Sequence, residues 1–322
     1  MSRPKVVVTE TLVATCLEWL GQRAQVVRCS FDAADELRTH LADADGLVIG
    51  SYTQVNETLL TLAPKLQVVG RAGVGLDNVD LDACGRRSVT VVFTPDANTQ
   101  AVAEYVIALI LDALRPRVSI GVGDGPQTFH RHRRELVGTQ LNSMTLGILG
   151  FGRIGTSVGR IGHALGMTLL VHDLLPESTL RQQFEPPFRF VDRDALFRES
   201  NVLTIHVDGR RENRHLVTGS VLAQLKRDCL LINTSRGMVV DSVALADWAR
   251  SAAPDGARAV LDVHDPEPPP SEGPDAYPLY GLSNVRLMPH IAARTTQALT
   301  NMGWVVKDVW AVLEGQPPRY PA

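Results

Sequence analysis

Short apolar runs alternate with stretches of helical spacing through the first hundred residues. Lys5–Thr9 (KVVVT) is predicted as a strand, and Thr11–Leu20 follows with apolar positions at helical intervals. Gln25–Cys29 is a second strand and Ala33–Leu41 a helix. Gly46–Ile49, Leu66–Gly70 and Val89–Phe93 supply three more strands, joined by helical connections. Strand, helix and strand repeated in this way imply a parallel sheet with right-handed crossovers.

A second alternating series opens near Thr145. Thr145–Leu149 (TLGIL) is a strand, Gly152–Leu165 a helix, Thr168–His172 a strand and Asp194–Ser200 a short helix. Val202–His206, Leu230–Asn233, Ala259–Asp262 and Val285–Met288 complete a doubly wound unit of its own. Between the two series runs an apolar helix, Asn98–Leu114, after which Pro116 and Gly121–Gln127 (GVGDGPQ) break the pattern. A last helix, Thr295–Leu313, stops at Gly315 before Pro317 and Pro318, and carries Trp304 and Trp310. Packing it on the N-terminal sheet is the economical arrangement. The expected fold is therefore α/β, with two doubly wound parallel-sheet domains, one over 98–290 and one from 1–97 with 291–322.

Composition narrows the function classes. The 322 residues are 44% hydrophobic and 21% charged, with a net charge of -3, so no basic field suits nucleic acid. The most apolar helical stretch, Val102–Leu114, contains Glu104 and Asp112 and is too short to span a bilayer. MSRPKVVVTETL lacks the apolar core of a signal peptide. Cys16, Cys29, Cys84 and Cys229 form no C-x-x-C pair and read as thiols of a reducing, cytoplasmic compartment, with no metal site. Pro266–Pro274 (PEPPPSEGP) reads as a stiff surface loop, and the HRHRR run at His130–Arg134 as a solvated face.

Leu146–Arg160 (LGILGFGRIGTSVGR) places Gly150, Gly152 and Gly155 at the spacing of a dinucleotide loop, after a strand and before a helix. Gly150 permits the turn, Gly152 lets the backbone approach a pyrophosphate, and Gly155 lets helix and strand pack closely. Arg153 and Ile154 open the helix, whose N-terminal N–H groups face the phosphates. Asp173, 18 residues beyond Gly155, ends the next strand, where a carboxylate accepts both ribose hydroxyls. Leu174, Leu175 and Pro176 follow, with no cation for a 2′-phosphate, which points to NAD rather than NADP. A nicotinamide needs a partner that exchanges a proton as hydride moves. Three segments at strand ends hold candidates: Asn233–Gly237 (NTSRG), Leu261–Pro268 (LDVHDPEP) and Met288–Ala293 (MPHIAA). Ligands of open α/β sheets collect at these carboxyl ends, so Arg236, Asp262, Glu267 and His290 belong near the nicotinamide. His206 and Val207, with Thr234 and Ser235, complete the candidate cofactor contacts.

These motifs, with Arg71–Asp80 (RAGVGLDNVD) and Asn98–Leu111 (NTQAVAEYVIALIL), resemble the D-isomer-specific 2-hydroxyacid dehydrogenases over essentially the whole chain. The resemblance implies a Rossmann NAD domain over 98–290 and a flavodoxin-like substrate domain from 1–97 with 291–322, a cleft lying between them, and an NAD-dependent oxidoreductase interconverting a small 2-oxo acid and its D-2-hydroxy acid. It implies that Arg236 binds the substrate carboxylate and polarises the carbonyl, and that His290 is the acid–base, held protonated by Glu267. It further implies that Val74 and Gly75 N–H groups bind the carboxylate's other face, that Asp262 receives the carboxamide, and that Asn98 sits at the cleft. Ser51, Tyr52 and Thr53 are candidates for substrate selection. A homodimer through the helix Val102–Leu114 is the expected assembly.

The chain departs from the family twice. Val207–Asp208–Gly209–Arg210 stands where Val-Pro-Leu is common, and Gly50 precedes Ser51 where phosphoglycerate dehydrogenases have arginine. The second departure argues against a phosphorylated substrate bound in that manner. Two other functions fit the same scaffold: a dehydrogenase of phosphite- or phosphonate-type substrates, and a non-enzymatic NAD-sensing corepressor. Formate is disfavoured, because formate dehydrogenases carry glutamine where Glu267 stands.

Overall fold

The computed structural model describes residues 3–251, 258–273 and 275–322; Pro274, the end of the proline-rich segment, lies outside them. Two compact units are present, Met1–Asn98 with Ala293–Ala322, and Thr99–Ala292.

The first unit is built on five parallel strands: β1 (Lys5–Val8), β2 (Gln25–Arg28), β3 (Gly46–Ile49), β4 (Val68–Arg71) and β5 (Thr90–Val92). Their order is β2-β1-β3-β4-β5, the flavodoxin-like winding. Successive strand residues point to opposite faces, and both faces are covered. Val7, Leu47, Val69 and Val91 pack on one side with Leu37, Leu41 and Leu60 from helices Ala34–Leu41 and Glu57–Leu62. Val6, Val8, Val48, Val68 and Val92 pack on the other with Leu20, Val305, Val306 and Val309. Each such side chain, taken fully from water, contributes about 1.5–3 kcal/mol.

The C-terminal segment does cover this sheet, as two helices rather than one: Thr296–Gly303 and Val305–Leu313. Trp304 breaks them, its ψ of 0° interrupting the helical path and its ring meeting Trp19 edge-on at 6.4 Å. Gly70 seats the second helix, since a Cβ there would lie 2.4 Å from the Val309 side chain.

The second unit has seven parallel strands: β6 (Thr145–Leu149), β7 (Thr168–His172), β8 (Arg189–Phe190), β9 (Val202–Ile205), β10 (Leu230–Asn233), β11 (Arg258–Leu261) and β12 (Val285–Leu287). The order β12-β11-β10-β9-β6-β7-β8 is the Rossmann winding extended by one strand. The strand order reverses between β6 and β9, which run parallel, and this is the switch point where such sheets bind ligands. Central β9 and β10 are buried throughout, as their mostly apolar runs suit, with Thr204 and Asn233 the polar exceptions.

Helix Thr99–Leu114 buries Val102, Val106, Ile107, Leu109, Ile110 and Leu114. Those six residues of the helix expected to form a two-fold interface are buried within the single chain. The exposed apolar side chains of this region lie further on, at Val118, Ile120, Val122, Phe129, Leu136 and Val137. The basic run forms a helix, Pro126–Glu135, that buries no residue. Among the described residues no helix is long and apolar enough to cross a membrane. The four cysteines are free and buried, and burial pushes the Cys229 thiol up to about 12.

Candidate active site

The glycine loop leaves β6 at the switch point. Gly150 has a φ of 89°, and a Cβ there would lie 2.9–3.0 Å from the His206 carbonyl and the Val207 nitrogen. Glycine is therefore needed both for the left-handed turn and for the close approach of the chain leaving β9. A Cβ on Gly155 would sit 2.1 Å from the Gly150 carbonyl oxygen, while one on Gly152 would meet nothing within 4 Å. The loop is tight behind and open in front. Phe151 is buried and packs on Phe184 and Phe188, which pins the loop from below. Helix Arg153–Ala164 begins at Gly152 with no side-chain cap, so its first N–H groups face outward with the positive end of the dipole.

Asp173, just past β7, accepts the Phe151 N–H at 2.5 Å and the Leu175 N–H at 2.8 Å. Its carboxylate is thereby held beside the glycine loop. Thr234 is 8% exposed, and its hydroxyl oxygen has no hydrogen-bond partner among the described residues. An open glycine, uncapped N–H groups, a fixed carboxylate and an unspent buried hydroxyl fit a dinucleotide. His206 is neutral at working pH: burial pushes its imidazole down to about 3, and Nε2 lies 2.9 Å from Thr204 Oγ1. The segment that departs from the family pattern closes on itself without proline. Arg210 donates to Asp208 at 2.7 Å and Asn213 to the Asp208 carboxylate and carbonyl at 3.0 Å each, and the Arg210 hydrogen bond holds the Asp208 carboxyl below its ordinary range.

Three loops at the carboxyl ends of β10, β11 and β12 carry the candidate chemistry. Asn233 shapes the first, accepting from Ser235 N–H and Oγ and donating to the Arg236 carbonyl at 2.9 Å. Arg236 is partly buried and donates through Nη1 to the Ser235 carbonyl at 2.8 Å. The second loop brings Glu267 to His290 on the third, Oε1 hydrogen-bonded to Nδ1. Burial opposes the Glu267 charge, but the hydrogen bond and charge of His290 outweigh it and lower the carboxyl below its ordinary value. His290 has a φ of 53°, a conformation side chains other than glycine rarely adopt. Asp262 is fully buried, and its two oxygens accept the Ile291 and Ala292 N–H groups at 2.9 and 2.8 Å. Its carboxylate is thus committed to the chain just past His290. Burial pushes its carboxyl up, with those two donors and the nearby histidines acting against it.

The first unit holds the other candidates. Ser51 and Tyr52 lie on a loop whose N–H groups, from Gly50 through Thr53, all point at the Glu10 carboxylate over 2.8–3.1 Å. Asn78 donates to the Gly50 and Thr53 carbonyls from the other side. A Cβ at Gly50 would stand 2.3 Å from Glu10 Oε2, so a side chain before Ser51 would displace the Glu10 carboxylate from these N–H groups. Tyr52 is 66% exposed and stacks on Phe31 at 5.2 Å. Asn98 immediately precedes helix Thr99–Leu114, and its Oδ1 is buried with no hydrogen-bond partner among the described residues. Residue patterning alone overlooks Glu10, whose role depends on a loop 40 positions away, and His264, which sits inside the LDVHDPEP motif. Among the described residues no cluster of three His, Cys, Asp or Glu could hold a metal ion.

Comparison with known proteins bears on this arrangement. Residues 107–292 match the family model described as D-isomer specific 2-hydroxyacid dehydrogenase, NAD binding domain. The chain is 32% identical over 319 residues to D-3-phosphoglycerate dehydrogenase of Archaeoglobus fulgidus, covering 98% of this chain and 58% of that protein. It is 32% identical over 307 residues to hydroxypyruvate reductase of Thermotoga maritima, covering 94% and 96%. The chain thus spans under two thirds of the phosphoglycerate dehydrogenase and nearly all of the reductase. A D-lactate dehydrogenase from Aquifex aeolicus, complexed with NAD and lactic acid, superposes with a TM-score of 0.80 at 25% identity over 96% of each chain. An NADPH-dependent glyoxylate/hydroxypyruvate reductase from Sinorhizobium meliloti, in complex with NADP and malonate, has a TM-score of 0.80 at 28% identity over 100% of this chain and 97% of that one.

Proposed function

The chain belongs to the D-isomer specific 2-hydroxyacid dehydrogenase family, and we propose that it interconverts a small 2-oxo acid and its D-2-hydroxy acid using NAD. The observation that carries this reading is the Glu267–His290 contact at the carboxyl end of the sheet that also presents the glycine loop. The bound nicotinamide supplies or accepts the hydride. Gly150, Gly152, Gly155, Arg153, Ile154 and Asp173, with His206, Val207, Thr234 and Ser235, hold the cofactor. Arg236 takes the substrate carboxylate in a two-pronged ion pair and polarises the neighbouring carbonyl. His290 gives its proton to the carbonyl oxygen as the carbon is reduced, and takes it back in the reverse direction. Glu267 stabilises the charged imidazole, and Asp262 holds the following backbone.

Substrate selection falls to Ser51 and Tyr52, with Val74, Gly75 and Asn98. The Gly50–Thr53 N–H groups, a natural anion nest, are already taken by Glu10. The reading therefore favours 2-oxo acids without a second anionic group at the distal end. Asp173 favours NAD, since a 2′-phosphate there meets a carboxylate while Arg210 is paired with Asp208. The test is oxidation of NADH and NADPH with glyoxylate, hydroxypyruvate, pyruvate and phosphohydroxypyruvate. Preference for a neutral-tailed acid and for NADH by on the order of tenfold is expected, the size of a 1.4 kcal/mol difference. Preference for NADPH or for the phosphorylated acid contradicts these assignments.

The exposed apolar residues between Val118 and Val137 support a homodimer formed through that segment rather than through helix Thr99–Leu114. Light scattering is expected to give twice the 35.1 kDa chain mass, and a monomer mass contradicts it. Buried free cysteines suit the cytoplasmic setting of this reading.

A further inference from the structure

We propose that His264 is a positioning residue that keeps Glu267 and His290 in register by joining the loops that carry Arg236, Glu267 and His290. The inference rests on the acid–base reading above. His264 is 7% exposed and touches a neighbour on each of the three loops. Its Nε2 lies 2.7 Å from the Met288 carbonyl oxygen, two residues before His290. A carbonyl only accepts, so Nε2 carries the hydrogen and donates it. Its main-chain N–H faces Glu267 Oε2 at 3.4 Å, while the other Glu267 oxygen meets His290. Its own carbonyl lies so close to Gly237, next to Arg236, that a Cβ there would be 1.9 Å away.

The ring is fixed from behind by Tyr277, 1% exposed, whose hydroxyl is 3.1 Å from Nδ1 and whose ring meets it edge-on at 5.9 Å. Burial pushes the Tyr277 phenol up to about 12, so the hydroxyl stays protonated and keeps its hydrogen bond over the working range. His290 thus sits between two ties to the loop that bears Glu267. Upstream, His264 holds the Met288 carbonyl; downstream, Asp262 holds the Ile291 and Ala292 N–H groups. A left-handed backbone at His290 persists only when its surroundings over-determine it, and these ties do so. Phenylalanine at 264 fills the same space but leaves the Met288 carbonyl without its donor and takes one partner from the Tyr277 hydroxyl, which also meets Ser242.

The test compares His264→Phe, His264→Gln and Tyr277→Phe in the full chain, with NADH and glyoxylate. His264→Phe is expected to lower kcat on the order of tenfold, as small misplacements of catalytic groups do, with KM for NADH nearly unchanged. A 13C titration of the Glu267 carboxyl, assigned against Glu267→Gln, is expected to move upward as the His290 contact loosens. His264→Gln restores a donor toward Met288 and is expected to recover most of kcat. Tyr277→Phe is expected to move both readings in the same direction by less, and tests the tie even where His264→Phe fails to fold. Unchanged kcat and Glu267 titration in folded His264→Phe or Tyr277→Phe overturns the inference, as does a glutamine variant no better than phenylalanine. Full turnover in His290→Ala overturns the acid–base reading itself.

Discussion

His290→Ala is expected to lower kcat on the order of a hundredfold or more, the range over which a positioned proton donor contributes. The carbonyl oxygen gains negative charge as hydride reaches the carbon, and water would then have to supply the proton, with Arg236 left to polarise the oxygen. Glu267 would lose its side-chain hydrogen-bond partner and keep only the His264 N–H, and its carboxyl is expected to rise, because His290 does most to lower it. Cofactor affinity is expected to stay near that of the wild type, since His290 lies on the loop after β12 and the glycine loop leaves β6. Stopped-flow turnover and NADH fluorescence titration check the two halves separately. Loss of NADH binding in parallel with turnover would mean that His290 supports the fold of the site and not its proton transfer.

Arg236→Ala is expected to act on a different constant. A guanidinium fork on a carboxylate makes two charge-assisted hydrogen bonds, each contributing about 1.5–3 kcal/mol. Their joint loss corresponds to a fall in kcat/KM on the order of 10² to 10⁴. Much of it is expected in KM for the 2-oxo acid, with KM for NADH little changed. Arg236→Lys keeps the charge without the fork and is expected to fall between. The Asn233 hydrogen bonds that shape this loop involve main chain and Ser235, so both variants leave them in place. An Arg236→Ala enzyme with unchanged kcat/KM would remove arginine from the substrate site.

Much of this was legible in residue order. Runs such as VLTI and LLIN, short and bounded by loops, read as central parallel strands, and the glycine loop, Asp173 and NTSRG each stand at a strand end. Elements without a buried face left no such mark. Arg189–Phe190 is a two-residue edge strand, and Pro126–Glu135 buries nothing, so no apolar spacing announces either. Trp304 hid a helix break because the apolar spacing runs through it. Glu10 and His264 stayed silent for a different reason. Each acts through hydrogen bonds to backbone groups distant in sequence, which residue type and spacing do not encode.

The central claim is that hydride passes between a nicotinamide and C2 of a 2-oxo acid with His290 delivering the proton. The most direct measurement is the configuration of the product formed from hydroxypyruvate and 4,4-dideuterated NADH by the wild type and by His290→Ala. The wild type is expected to place deuterium at C2 of D-glycerate, and the variant to form the same product at a rate lower on the order of a hundredfold. L-glycerate, or deuterium transfer at an undiminished rate in the variant, would contradict the account.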